Sequence, residues 1–246
     1  MTAIIQCENL WKSYSRPARG IKDLLVGRRN KGHSRYAREW ALQEVSLEVE
    51  KGSAFGIIGH NGTGKSTLLS LILGTIRADR GVINVAGKVA SLLELGAGFH
   101  SELSGRENIF LYGSILGMSL ADLHKNIGAI IDFSELESAI DNPIRTYSDG
   151  MIARLGFSTI IHTPADILLI DEVLAVGDSG FKEKCKDFLN NFKKQQGTLV
   201  IVSHELEVLE DMCDFGVCLD MGKLVEQGPI DKILKKYGEL VQEGRE

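Results

Sequence analysis

Proline and cysteine are both scarce in this chain, at four residues each among 246. The four cysteines, Cys7, Cys185, Cys213 and Cys218, are scattered, with no C-x-x-C pair and no histidine at metal-ligand spacing. That excludes a disulfide framework or a zinc module and leads us to expect reduced structural thiols in a cytosolic compartment. Long apolar runs are missing too: none approaches the roughly 20 residues that would span a bilayer. The first residues lack a basic segment followed by an apolar core, so no secretion signal is expected. An excess of positive charge is also lacking. Lys and Arg total 28 against 33 Asp and Glu, a net −5 that gives no electrostatic case for nucleic acid as a partner. There are no internal repeats and no low-complexity linker. What remains is 43% hydrophobic and 25% charged, the make-up of one large globular domain, or a domain with a subdomain.

Within that frame one stretch is unusual: Gly59-His60-Asn61-Gly62-Thr63-Gly64-Lys65-Ser66-Thr67. It follows Ala54-Phe55-Gly56-Ile57-Ile58, which reads as a buried strand, and precedes Leu68–Leu73, which reads as the apolar side of a helix. Strand, G-x-x-x-x-G-K-S, helix is the P-loop in its expected context. Glycines let successive backbone N–H groups point into one anion-sized hollow at the positive end of a helix. Lys65 would reach the terminal phosphates, and the Ser66 hydroxyl would take a position on Mg²⁺. The chain is therefore expected to bind a nucleotide.

Taken in order, Ala3 to Trp11 has the alternation of a first strand ending near Tyr14, an aromatic that could stack on a base or pack in the core. Residues 15–39 break the pattern. A breaker-rich entry leads to Ile21, Leu24 and Leu25 on one helical face, followed by the basic run Arg28–Arg35. This short amphipathic element suits a membrane interface or membrane-protein partner, or else a solvated surface insertion. Alternation returns from Trp40 to Glu50 as a half-buried strand. Gly81–Val85 and Lys88–Leu93, separated by Gly87, read as a hairpin. Ser104-x-x-Glu107 before Ile109-Phe110-Leu111 is a capping box, opening a mostly helical stretch with further segments near 121–132 and 134–140, whose last helix stops before Pro164.

Ile167–Ile170 then forms an apolar run that ends in Asp171-Glu172. A buried parallel strand delivering acids at its C-terminal edge is where α/β sheets place chemistry. Paired with the P-loop this is a Walker B segment: Asp171 would hold Mg²⁺, directly or through water, and Glu172 would orient and polarise the attacking water. Thr198–Ser203 is another buried strand, delivering His204. A lone histidine can be structural, but a strand-end position beside Walker B favours catalysis. Phe215–Asp220 and Lys223–Glu226 form a hairpin through Met221-Gly222, and Pro229–Tyr237 a closing helix.

P-loop, helical insertion, Walker B with adjacent glutamate and strand-end histidine occur here in an order that resembles the nucleotide-binding subunit of ABC transporters. Tyr147-Ser148-Asp149-Gly150-Met151, upstream of Asp171, looks like the ABC signature, with Ser148 and Gly150 at its two phosphate-contact positions. Tyr147, Asp149 and Met151 depart from the usual Leu-Ser-Gly-Gly-Gln. No glutamine occurs from Lys88 to Pro164, where most ABC proteins carry one, and Glu94 is the nearest substitute. Glu-Leu-Gly-Ala-Gly-Phe, Gly-Arg-Glu-Asn, Tyr-Ser-Asp-Gly-Met and Asp-Glu-Val-Leu-Ala-Val-Gly-Asp together resemble the branch that exports bacterial surface polysaccharides, which includes O-antigen, teichoic-acid and capsule exporters. The Ile21–Arg29 insertion resembles the amphipathic helix of the O-antigen and teichoic-acid members. Some O-antigen members carry a C-terminal carbohydrate-binding domain, for which 246 residues leave no room.

The resemblance implies an α/β P-loop fold of the ABC type: a RecA-like core, an antiparallel β subdomain and an inserted helical subdomain at about residues 95–163. It implies ATP and Mg²⁺ as ligands, held by Gly59–Thr67, with Tyr14 stacked on adenine and Trp40 as its rival. Ser148 and Gly150 would close over ATP held by a second copy of the chain, Asp178 would couple the two sites across the dimer seam, and His204 would contact the γ-phosphate. Two copies of a membrane-spanning permease would be the other partners, touching Glu94–His100 and the insertion. A lipid-linked polysaccharide would be the cargo, and the cytoplasmic face of the inner membrane the location. The alternatives are a different cargo within the same family, or a soluble ABC ATPase acting on nucleic acid or ribosomes. The second normally needs two nucleotide-binding units or a coiled-coil arm, and neither is visible.

Overall fold

The computed structural model describes residues 2–17, 36–93, 95–171, 177–203 and 205–242. Its centre is a six-stranded sheet built from β3 (Ala54–Ile58), β5 (Val89–Ser91), β6 (Ile167–Asp171), β7 (Thr198–Val202), β8 (Phe215–Asp220) and β9 (Lys223–Pro229), in the order β5-β6-β7-β3-β8-β9. All pairings are parallel except β8–β9, the hairpin expected from Met221-Gly222. Both turn residues take positive φ, 45° and 78°, the combination that a two-residue hairpin requires.

Strands β3, β6 and β7 are apolar apart from the terminal Asp171 and Thr198 because both faces are covered, and each face serves a different core. Phe55, Ile57, Leu169, Val200, Val202, Val217 and Leu219 join one cluster. That cluster also takes Leu68, Leu69 and Ile72 of α1 (Lys65–Leu73) and Ile5, Leu10, Leu42, Val45 and Val49 of the β subdomain. The alternate residues Ala54, Ile58, Leu168, Ile170, Leu199, Ile201 and Cys218 join a second cluster on the opposite face. There they meet α5 (Ser179–Lys194), α6 (Leu206–Met212) and α7 (Ile230–Gln242). A one-residue slip in any of these strands would exchange the two sets.

The β subdomain is an antiparallel sheet of β1 (Ala3–Pro17), β2 (Tyr36–Glu50) and β4 (Arg80–Val85), ordered β2-β1-β4. Pairing of β1 with β2 continues to Pro17↔Tyr36, so the intervening segment is spliced between adjacent strand ends. Of the residues 15–39 expected to break the pattern, 15–17 and 36–39 instead extend β1 and β2, and residues 18–35 lie outside the described residues. The hairpin expected over 81–93 does not form. Strand β4 pairs with β1 and β5 with β6, in separate sheets. The chain crosses over at Lys88, whose N–H donates to Asp166 Oδ2 at 2.8 Å and whose carbonyl accepts from Asp166 N at 2.9 Å. The edges of β1 and β6 thus outcompete local pairing.

The inserted helices are α2 (Gly105–Ile115), α3 (Leu120–Ser134) and α4 (Asp149–Ile161), with a 3₁₀ turn at Ile144–Thr146. They share a separate core of Ile109, Leu123, Ile130, Leu136, Ile140, Tyr147 and Leu155. The Ser104–Glu107 capping box is present in both directions, and α4 ends three residues before Pro164. The segment expected near 134–140 is not helical. Glu135 adopts φ 58° and caps α3, and the next residues run through turns. Leu136 and Ile140 are buried by those turns, so their four-residue spacing imitates a helical face.

Candidate active site

Register brings the chemistry to one sheet edge. Ile57 of β3 and Asp171 of β6 both pair with Val202 of the intervening β7, so the residues entering the P-loop and the Walker B aspartate end at one level. This is the C-terminal edge of the parallel strands, where open α/β sheets bind ligands.

The P-loop turns between β3 and α1. Gly64, the N-cap of α1, takes φ 102°, and a Cβ there would collide with the Ala41 carbonyl oxygen of the β subdomain. A Cβ at Gly59 would collide with the Leu219 carbonyl. Both glycines are therefore required by close backbone approach as well as by conformation. Lys65 is 7% exposed and donates to the Gly59 carbonyl at 2.7 Å and the His60 carbonyl at 2.9 Å. Thr63 donates its hydroxyl to the His60 carbonyl at 2.8 Å, and the Ser66 hydroxyl lies 3.5 Å from Asp171 Oδ2. A hydroxyl and a carboxylate converging at a helix N-terminus beside a lysine fit a hard divalent cation bridging phosphates.

These groups open onto a cavity of about 460 Å³, within the size range of small-ligand sites. Asn61, Gly62, Gly64, Lys65, Ser66, Thr67 and Asp171 line its phosphate end, and Tyr14, Glu39, Trp40 and Ala41 its other end. Tyr14 and Trp40 both reach the cavity, in different states. Trp40 packs edge-on against Trp11 at 5.2 Å with the Arg80 guanidinium 5.9 Å from its ring, whereas Tyr14 is 44% exposed. Three P-loop members contribute backbone rather than cavity wall. Gly59 and His60 offer their carbonyls to Lys65, Thr63 turns its hydroxyl to the His60 carbonyl, and the His60 ring packs on Tyr237 of α7 at 5.2 Å. His60 Nε2 is buried and has no hydrogen-bond partner among the described residues.

Ser148 and Gly150 stand apart from this cavity. Ser148 caps α4, accepting from Met151 N at 3.3 Å, and both residues are exposed. A Cβ at Gly150 would meet nothing closer than the Ser148 hydroxyl at 3.8 Å, so the helix N-terminus is open to an incoming group. The departure at Tyr147 has a structural role: its ring is buried and its hydroxyl donates to the Ala139 carbonyl at 2.7 Å, anchoring the signature turn. Asp178 caps α5, accepting from Phe181 N at 3.0 Å, and pairs with Arg154 of the signature helix. Those hydrogen bonds, that to Phe181 foremost, hold its carboxyl below the usual aspartate range. Arg154 also bridges to Glu135 at 3.0 Å and stacks over Phe181, tying the inserted helices to the core. Glu94, Glu172 and His204 lie outside the described residues.

Sequence reasoning missed Glu39 and Ala41 at the cavity. The signal was the insertion itself: strands that flank a splice must pair, and Tyr14↔Glu39 is one of the resulting pairs.

A family model described as ABC transporter matches residues 42–175, more than half of the chain. An O-antigen export system ATP-binding protein, RfbB, from Klebsiella pneumoniae is 45% identical over 89% of both chains. A second Klebsiella pneumoniae protein of that name is 43% identical over 96% of this chain and 98% of its own length. The teichoic acids export ATP-binding protein TagH of Bacillus anthracis is 38% identical over 96% of this chain, which spans 43% of that protein. Among solved structures, an ATP-binding subunit of an ABC transporter superposes with a TM-score of 0.76 at 21% identity, covering 96% of this chain and 93% of the other. A dimeric ATP-binding cassette in a post-hydrolysis state with ADP and phosphate superposes with a TM-score of 0.73 at 19% identity, covering 92% and 98%. With the P-loop, Walker B edge and signature helix each in place, the chain belongs to the ABC transporter family, as an ATP-binding cassette.

Proposed function

We propose that this cassette hydrolyses ATP to drive export of a lipid-linked surface polysaccharide of the O-antigen type. The observation that carries the ATPase part is the approach of Ser66 to Asp171 at the mouth of a cavity walled by Lys65. Support for the cargo comes from the relatives named for O-antigen export, at 45% and 43% identity. Teichoic-acid export is the second reading, favoured by the 38% identity to TagH.

Phosphate oxygens would be held by the P-loop N–H groups and Lys65, whose ammonium would exchange two loop carbonyls for the terminal phosphates. Mg²⁺, held by Ser66 and Asp171, would neutralise charge on the β- and γ-oxygens. Glu172 would orient and polarise the water, and His204 would steady the γ-phosphate. Ser148 and Gly150 lie outside their own chain's cavity, which supports their serving the site of a second copy, as a dimer of two cassettes. No helix among the described residues is long and apolar enough to cross a membrane. Two permease subunits would supply the path through the membrane, with the cassettes at its cytoplasmic face.

The test is the surface-glycan profile of the source cell when Lys65→Ala replaces the natural chain. Long lipid-linked polysaccharide should accumulate inside and vanish from the surface, and the trapped glycan identifies the cargo. An unchanged surface would remove the polysaccharide reading.

A further inference from the structure

The last pair joining β1 to β4 is Trp11↔Arg80. Ser13 lies two residues beyond it, where β4 offers no further rung. The register of β1 against β2 also shifts here, between Lys12↔Leu42 and Ser13↔Trp40. Beyond this shift Ser13 and Tyr14 are laddered on one side alone, to Trp40 and Glu39 of β2, and on the β4 side no strand among the described residues holds them. The linker from α1 to β4 supplies what the ladder lacks. Asp79 Oδ2 accepts from both Ser13 N at 2.8 Å and Ser13 Oγ at 2.7 Å. Asp79 Oδ1 lies 3.5 Å from Lys12 Nζ, which also donates to the Arg77 carbonyl at 2.8 Å. Asp79 N donates to the Trp11 carbonyl at 2.8 Å. Residues 11, 12 and 13 are thus each tied to the linker, immediately before the tyrosine that faces the cavity.

We infer that Asp79 is a positioning residue for nucleotide binding: its carboxylate acts as the missing rung that fixes Ser13, and through it aims the Tyr14 ring at the base. A carboxylate suits the task because its one oxygen accepts two hydrogen bonds while the other faces the Lys12 ammonium. That ammonium lies 5.7 Å from the Tyr14 ring centroid and steadies the same platform. The inference rests on the reading that Tyr14 stacks on the base.

Equilibrium binding of ATP and of inorganic triphosphate, which has no base, tests it in Asp79→Ala, Asp79→Asn, Tyr14→Ala and the Asp79→Ala/Tyr14→Ala double variant. Base stacking is strong enough that its partial loss should weaken ATP binding by about three- to tenfold in Asp79→Ala. Triphosphate binding should stay within about twofold, the double variant should match Tyr14→Ala, and Asp79→Asn should recover most of the loss because it keeps an acceptor. Equal weakening of ATP and triphosphate would overturn the inference, since it would mean general loosening of the site. So would unchanged ATP binding in Asp79→Ala beside weakened binding in Tyr14→Ala. If Tyr14→Ala itself leaves ATP binding unchanged, the platform reading fails and the inference goes with it.

Discussion

The Ser66 hydroxyl and the Asp171 carboxylate come within 3.5 Å although 105 residues separate them in the chain. Their approach depends on β7 lying between β3 and β6, with Val202 in register with both neighbours. The pair is the arrangement on which metal-dependent hydrolysis would turn.

Ser66→Ala and Asp171→Asn should each lower Mg²⁺-dependent ATP hydrolysis by about 100-fold or more, the scale of losing one preorganised electrostatic contact. The double variant should be little worse than either, because both act on one ion. ATP binding measured in EDTA should be retained. Steady-state hydrolysis beside EDTA binding titrations checks both outcomes.

Gly64→Ala should disable the site by backbone geometry alone. The residue has φ 102°, and the added methyl meets the Ala41 carbonyl. A strained φ of this kind costs about 1–3 kcal/mol, and the collision adds to it. Chemical denaturation should show the lost stability, and ATP titration a loss of binding that a surface alanine such as Glu137→Ala does not cause.

Glu172→Gln should keep ATP binding and trap a dimer, since it removes the group assigned to the water but none assigned to phosphate. Sedimentation should show the mass doubling with ATP and Mg²⁺. Adding Gly150→Asp should abolish the doubling by placing an anion at the open N-terminus of α4. A Glu172→Gln protein that stays monomeric with ATP would count against the shared site.

Acid should loosen the joint between the inserted helices and the core. The carboxyl of Asp178 is held below its ordinary value chiefly by the Phe181 N–H, with Arg154 adding to it. A depressed carboxyl gives stability that is present above the unfolded-state value, near 3.9, and lost as pH falls through the lower folded value. Asp79, held down first by the Ser13 hydroxyl, adds to the same trend. Urea midpoints should therefore fall below about pH 4, and the decline should be shallower in Asp178→Asn.

Local sequence determined the pieces whose physics is local. The Gly59–Thr67 spacing requires a phosphate hollow wherever it is placed, Ser104 and Glu107 write their own helix start, and Met221-Gly222 its own turn. The apolar runs at 54–58, 167–170 and 198–202 announce strands covered on both faces. Tertiary structure decided which edges those strands would meet. Gly81–Val85 and Lys88–Leu93 are adjacent and look like a hairpin, yet pairing with distant β1 and β6 won because those edges were left to be filled. Leu136 and Ile140 have helical spacing but are buried by turns after Glu135 reverses the backbone. Only the fold sets Asp79 under Ser13, seats Asp178 on Arg154, and turns the His60 ring from the cavity toward Tyr237. Such contacts join residues remote in the chain through packing, and nothing in the local pattern of side chains encodes them.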